Sequence, residues 1–440
     1  MTTKVTDAQA LTDTAIDSFR NWSAPAGLPV SWQTIRQEAF QALETQKLPE
    51  AKHEEYKFTN LAKVLKKHFE LGETTPAGRI NLEDVTPFFI PGLAADRVVL
   101  VNGEFRADLS DITVPTEQVS VTSLTEGATE NSEVFTKVFG QLAKSEDDAY
   151  TALNTAFATD GVMITVARNV DVERPLAIYS FVDARTQIAR AYPRVLVHAE
   201  AGSRVRMVTS VHSLGDYPAL NASVNEVYVA ANAEVNVVKI QNDSGDSYHY
   251  DHTQGYQERD SRFTNTTASL RGTMVRNNLG MVLDAEGIES NMYGVTLLRG
   301  KQHVDHHTTV DHRKPHCDSN ELYKTILDEK STGVFNGKIY VRQHAQKTNA
   351  FQANNNILLS DDATIHTKPQ LEIWADDVKC SHGATIGQMD EEQLFYLRAR
   401  GLGKNEARAM LLQAFANDAL EHVVHESVRE YLQSQIADRL

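Results

Sequence analysis

The sequence predicts a mainly β chain, built either as a parallel β-helix or as a sandwich. Three observations carry that reading. From about residue 160 onward, short runs alternate apolar and polar residues with period two, as half-buried strands do. Breaks of similar make-up separate these runs: "HAEAGS", "VAANAE", "LDAEGIE", "LDEKSTG" and "LSDDATI". No long helical pattern lies between them, which argues against βαβ units. Similar strands joined by similar small-residue turns suggest a stack of rungs, and so favour the β-helix.

Residues 1–90 read as an N-terminal helical region. In "SWQTIRQEAFQALETQKL", Ser31 is the expected N-cap, and Ile35, Phe40 and Leu43 fall at roughly helical spacing. "LPEAKHEEYKFTNLAKVLKKHF" continues the pattern after Pro49. Residues 91–159 form a mixed connecting segment, in which the Asn-Gly pair of "DRVVLVNGEF" signals a turn. The β core spans 160–387. "RVLVHAEAGSRVRMVTSV" and "NEVYVAANAEVNVVKIQN" are its runs. In "GKIYVRQ", Ile339 and Val341 alternate with Tyr340 and Arg342; in "QLEIWA", Leu371 and Ile373 alternate with Glu372 and Trp374. The Asn-rich "QANNNILL" suits a solenoid, because stacked amide side chains can hydrogen-bond along it. Residues 388–440 return to helix. Asp390 with Gln393 three places on is a capping-box arrangement, and Gly401 is a C-terminal cap. Ala407, Met410, Leu411 and Phe415 mark one apolar face.

Composition narrows the function. The 440 residues are 41% hydrophobic and 23% charged, ordinary for a soluble globular protein. A net charge of −16 opposes binding to a phosphate backbone, so no nucleic-acid partner is expected. No run of about 18 apolar residues occurs, so no membrane span is expected. The opening "MTTKVTDAQALTDTAIDSF" lacks the apolar core of a signal peptide. Two cysteines make no disulfide framework, and the expected compartment is a reducing cytoplasm.

Several stretches invite chemistry. "QHVDHHTTVDHRKPHCDSNE" gathers His303, His306, His307, His312, His316 and Cys317. Imidazole and thiolate are good ligands for zinc or iron, but this spacing fits no zinc motif. In a strand, neighbouring histidines would face opposite ways. "STGVFNGKIYV" holds Gly333, Gly337 and Lys338, yet a phosphate loop needs four residues between its glycines and Ser or Thr after the Lys. No Gly-x-Ser-x-Gly elbow is present. Asp305, Asp311 and Asp318 are the candidates if the chain is a carbohydrate-active β-helix lyase or hydrolase, and a plain zinc-binding interaction module is a third reading.

The stretch "DVKCSHGATIG" sets Cys380 and His382 two positions apart among small residues. On a strand the two share a face. A Cys-His hydrolase would need the imidazole within reach of the thiol and a third group to orient it. A tetrahedral metal site would need two further ligands, either from a second protein or left unfilled. A buried cysteine with a capping histidine is the plain structural reading. The residues alone leave function and packing about even.

"LEIWADDVKCSHGATIGQMDEEQLFYLRARGL" resembles the shared core motif of the SufB/SufD family of iron–sulfur cluster assembly scaffold proteins. "STGVFNGKIYV" and "QANNNILLSDDATIHTKPQLEI" match its neighbouring stretches, and "LPEAKHEEYKFTNL" looks like its N-terminal segment. The resemblance covers most of the chain and is strongest from about residue 320 to 420. It leans to the D subunit, because the B subunit is usually longer and often carries an N-terminal cysteine cluster that is absent here. It implies a right-handed parallel β-helix with helical flanks, and a non-catalytic scaffold in a complex with SufB and two SufC ATPase subunits. It further implies edge-to-edge pairing with the SufB β-helix, helical-tail docking to SufC, and ATP bound only through SufC. His382 first and Cys380 second would then face SufB and hold iron or a nascent iron–sulfur cluster. Reduced FAD in the complex, and a homodimer when the chain is alone, are further expectations of the resemblance.

Overall fold

The computed structural model describes residues 5–22, 27–243 and 245–440. Its body is a parallel β-solenoid with two strands per turn, contributed to two sheets. Register shows the repeat directly. Glu234 pairs with Arg262, Arg262 with Glu289, Glu289 with Asp318, Asp318 with Asn349, and Asn349 with Lys379, in steps of 27 to 31 residues.

Period-two alternation decides what enters the interior. Val235, Phe263 and Met292 of one sheet meet Leu279, Val310 and Phe335 of the other in a single buried cluster. Each such side chain contributes roughly 1.5–3 kcal/mol by leaving water. Polar groups enter too, and find partners there. Lys239 pairs with Asp251, Gln241 bonds Asn277 at 2.8 Å, and His306 meets Thr296 at 3.0 Å. The repeated breaks of the sequence are the corners. Asn232, Asp260 and His316 each take a left-handed conformation there, as do Gly202 and Gly287. Gly287 is required twice over, because its φ is +73° and a Cβ would lie 2.2 Å from Asp260 Oδ1. The Asn-Gly pair forms its turn, joining Asp96–Val101 to the antiparallel Glu104–Phe105. Asn side chains do bond between rungs: Asn320 donates to Asn291 Oδ1 at 3.2 Å and Asn356 donates to Thr385 O at 2.9 Å.

The N-terminal end is closed. Its sheets finish in antiparallel pairs, Glu104–Phe105 with Asp96–Val101 and Val119–Ser123 with Val162–Val166. Helix Ala149–Phe157, with every residue buried, packs on the outer face of one sheet against Ala219–Val229 and Ser247–Gln257, beneath Val30–Gln46. Below that helix Arg194 and Glu226, both fully buried, pair at 2.5 Å. Arg194 also donates to Asn154 and Thr155, and Glu226 accepts from the amides of Gly140, Leu142 and Ala143. The carboxylate and its backbone donors are therefore satisfied together, and of the pair only Arg194 Nε is left without a partner among the described residues.

At the other end, helices Glu391–Ala399, Lys404–Leu420 and Glu426–Ala437 run along the outside. Leu412, Ala416 and Leu420 pack on Val238, Val295 and Leu297 of one sheet. Asp390 caps the first of these helices, accepting from the amides of Glu392 and Gln393, and Gly401 follows its end with φ +99°. Two expectations are corrected. Helix Val30–Gln46 starts after Pro29, whose locked φ precedes it, so Ser31 lies inside the first turn rather than capping it. In Lys404–Leu420 the buried stripe is Ala407, Leu412, Ala416, Ala419 and Leu420, with Met410 exposed. Small alanines let that helix lie close on the sheet, a face the larger apolar residues did not mark. No helix among the described residues is long and apolar enough to cross a membrane.

Candidate functional site at the open end of the solenoid

The C-terminal end of the solenoid has no lid among the described residues. Strand Thr364–Ile373 is last in one sheet and Lys379–Gly387 is last in the other, each paired on one side only. Cys380 stands beside Ala350 and His382 beside Gln352. Both register partners are buried on the interior side, so Cys380 and His382 project from the same, inward-facing side of the last turn. Cys380 is half-buried against the apolar interior, and His382 is exposed. Burial raises the thiol of Cys380 above its ordinary value, partly offset by the Ala350 backbone. Around the pair lie exposed apolar side chains, among them Ile386 at 54% and Trp374 at 49% exposure.

The column below His382 holds Gln352 and then Glu321, both buried. Glu321 accepts from Thr308 Oγ1 at 2.6 Å, while its Oε1 has no hydrogen-bond partner. Burial pushes this carboxyl up to about 7, against the pull of the Thr308 hydroxyl. Gly337 of the facing strand makes room for Gln352, since a Cβ there would come within 2.3 Å of its Nε2.

The histidine run divides as alternation demands. His306 and His312 point inward, the latter to Ser319 at 2.8 Å. His303 and His307 point outward, to Thr59 at 2.8 Å and Glu55 at 3.2 Å. His316 occupies a corner with φ +59°. Cys317 is buried, donates to Ala285 O, and has its thiol pushed by burial up to about 11. Among the described residues no three His, Cys, Asp or Glu side chains gather as a metal would need. The acidic candidates are engaged: Asp305 with Arg276 at 2.6 Å, and Asp311 with Arg313 and Arg342 at 2.9 and 2.7 Å. Asp318 lies in the other sheet, accepting from Asn349. Lys338 is bound to Glu55 rather than to a phosphate loop.

Sequence reasoning missed Glu321 and Gln352, whose only signal was their interior parity in strands of the repeat. It also missed the contacts made by "KHEEYKF", where Glu54 and Glu55 reach strands roughly 250 to 310 residues away.

Comparison with known proteins bears on the chain as a whole. The profile described as "SUF system FeS cluster assembly, SufBD core domain" matches residues 181–415, and "SufBD protein N-terminal region" matches 27–178. The chain is 33% identical to an "Iron-sulfur cluster assembly SufBD family protein" of Synechocystis sp., over 92% of this chain and 90% of that one. It is 31% identical to "Iron-sulfur cluster assembly protein SufD" of Escherichia coli, over 89% of each. A chloroplastic protein of Arabidopsis thaliana is 30% identical over 66% of this chain and 62% of its own.

Proposed function

The chain belongs to the SufBD family of iron–sulfur cluster assembly proteins, and on that premise we propose that it is a SufD-type scaffold subunit that turns over no substrate itself. One observation carries the reading: the solenoid ends in two half-paired strands, and His382 and Cys380 stand on that end. Unpaired strand edges are templates for another strand. The β-helix of SufB is the partner proposed to meet them edge to edge, and a homodimer uses the same edges when SufB is absent. The helical tail is the proposed dock for the SufC ATPase. Helix Glu391–Ala399 buries only Leu394 and presents Phe395, at 72% exposure, and Tyr396, while Met410 of the next helix is also exposed. ATP, and reduced FAD in the complex, belong to the assembly rather than to a site in this chain. A cytoplasmic location goes with this reading.

Iron or a nascent cluster is the cargo. His382 supplies an exposed imidazole, which ligates in its neutral form. Cys380 must lose a proton to become a ligand, and its burial makes that loss harder. The two residues therefore rank with His382 first. Two ligands are half of a tetrahedral site, and the partner supplies the rest. The test is His382→Ala in the complex expressed with its partners. Iron and sulfide content is expected to fall, with melting nearly unchanged, since removing an exposed side chain costs less than about 0.5 kcal/mol. Cys380→Ser is expected to lower the same content less. A His382→Ala complex with full cluster content, or one that melts much earlier, returns the residue to a structural role.

A further inference from the structure

The strand that carries one half of the open end is not held by its own packing. No residue of Thr364–Ile373 is buried, and it has one strand neighbour. What touches its outer face comes from near the start of the chain. The ring of Phe58 stacks on His366, with centroids 4.1 Å apart and planes 11° apart. Glu54 pairs with Lys368. Next to Glu54, Glu55 joins the two preceding rungs, accepting from Lys338 at 2.5 Å and meeting His307 at 3.2 Å.

This segment is itself anchored on the middle rungs of the same sheet. Tyr56 is buried, and its hydroxyl donates to Asp148 at 2.7 Å. Asp148 is the N-cap of the fully buried helix Ala149–Phe157. The Arg276 guanidinium lies 4.6 Å from the centre of the Tyr56 ring. The segment therefore runs from the middle rungs of the sheet to its last rung as a strap, gripping three successive strands of that sheet.

We propose that the strap, residues 52–59, is a positioning device for the open end: Glu54 and Phe58 hold strand Thr364–Ile373 in the place a partner strand must meet. The proposal rests on the docking reading above for its consequence, while the clamp itself is a property of this chain. The ion pair alone is weak, because Glu54 is largely exposed and Lys368 only half-buried. The aromatic stack adds direction, and Tyr56 and Glu55 fix the approach, so that a short segment does what the strand's packing does not.

The experiment is hydrogen exchange on the full chain carrying Glu54→Gln with Phe58→Ala, followed by partner affinity. Amides of 364–373 are expected to exchange about tenfold faster, the factor that 1.4 kcal/mol makes. Amides of 349–358, in the other sheet, and the melting temperature are expected to stay unchanged. In the complex, SufB is expected to dissociate faster by a similar factor. Exchanging the charges, as Glu54→Lys with Lys368→Glu, is expected to restore slow exchange. Unchanged exchange in 364–373 overturns the clamp, whatever SufB does. Faster exchange with unchanged SufB dissociation overturns the positioning role. If the wild-type chain does not pair with SufB, the docking reading fails, and the exchange result still decides the clamp.

Discussion

The two ends of the solenoid are built from the same rungs and finished in opposite ways. Towards the N-terminal end, antiparallel strands close both sheets, and on the neighbouring rungs a helix with no exposed residue packs on one sheet's outer face over a buried Arg194–Glu226 pair. At the C-terminal end, two parallel strands are left half-paired, with Ile386 and Trp374 exposed. A solenoid whose rungs contact only their neighbours needs a cap at each end to stay soluble. A chain that caps one end and leaves the other bare has reserved the second for something else. On the proposed function, the bare end is where the partner docks, and the difference separates stability from function. Changes at the closed end are then expected to be felt by the fold, and changes at the open end by the partner.

The sharpest test of that separation is Glu226→Ala. It removes the acceptor of three backbone amides and leaves Arg194 buried without its charge partner. A loss of roughly 3–5 kcal/mol is expected, read as an earlier midpoint in denaturant unfolding. A loss below 1 kcal/mol would show that the closed end is not what holds the N-terminal cap.

Acid should strike the body before the open end. Burial pushes His212, His306 and His312 down to about 4, so they fold neutral. The unfolded chain binds more protons as pH falls below about 6.5. The stability these groups contribute is thus complete above 6.5 and lost between there and 4, on the order of 3 kcal/mol for each at most. Glu321 runs the other way. Its raised pKa makes its contribution complete below about 4.5 and lost as pH rises through about 7. Glu321→Gln is therefore expected to remove a loss of roughly 3 kcal/mol between those values and to leave the histidine limb intact. Thermal unfolding from pH 4 to 8 measures both limbs. An unaltered alkaline limb in Glu321→Gln would mean the carboxyl is not buried alone.

The smallest effect on stability is expected at the open end. Ile386→Lys changes an exposed side chain, so the melting curve should move by no more than about 0.5 kcal/mol. Yet it sets a charge on the bare apolar face, and co-purification with SufB should fall at least tenfold. A variant that melts early while keeping its partner would exchange the roles assigned to the two ends.

Much of this was legible in the residues. Period-two runs and recurrent small corners favoured a parallel solenoid over a sandwich, because interior parity and left-handed turns leave local marks at Ile339, Val341, Asn232 and Gly287. Asp390 and Gly401 set their helix ends by local hydrogen bonding and φ. The Cys380–His382 pair was visible because two residues apart on a strand share a face. The remainder depends on which rung lies next to which, and that is decided by contacts between residues hundreds of positions apart. The sequence could not show that Lys379–Gly387 has no further neighbour, that Gln352 and Glu321 lie beneath His382, or that Glu54 and Phe58 reach the last strand. An edge is defined by what fails to pair with it, and only the folded stack reveals that.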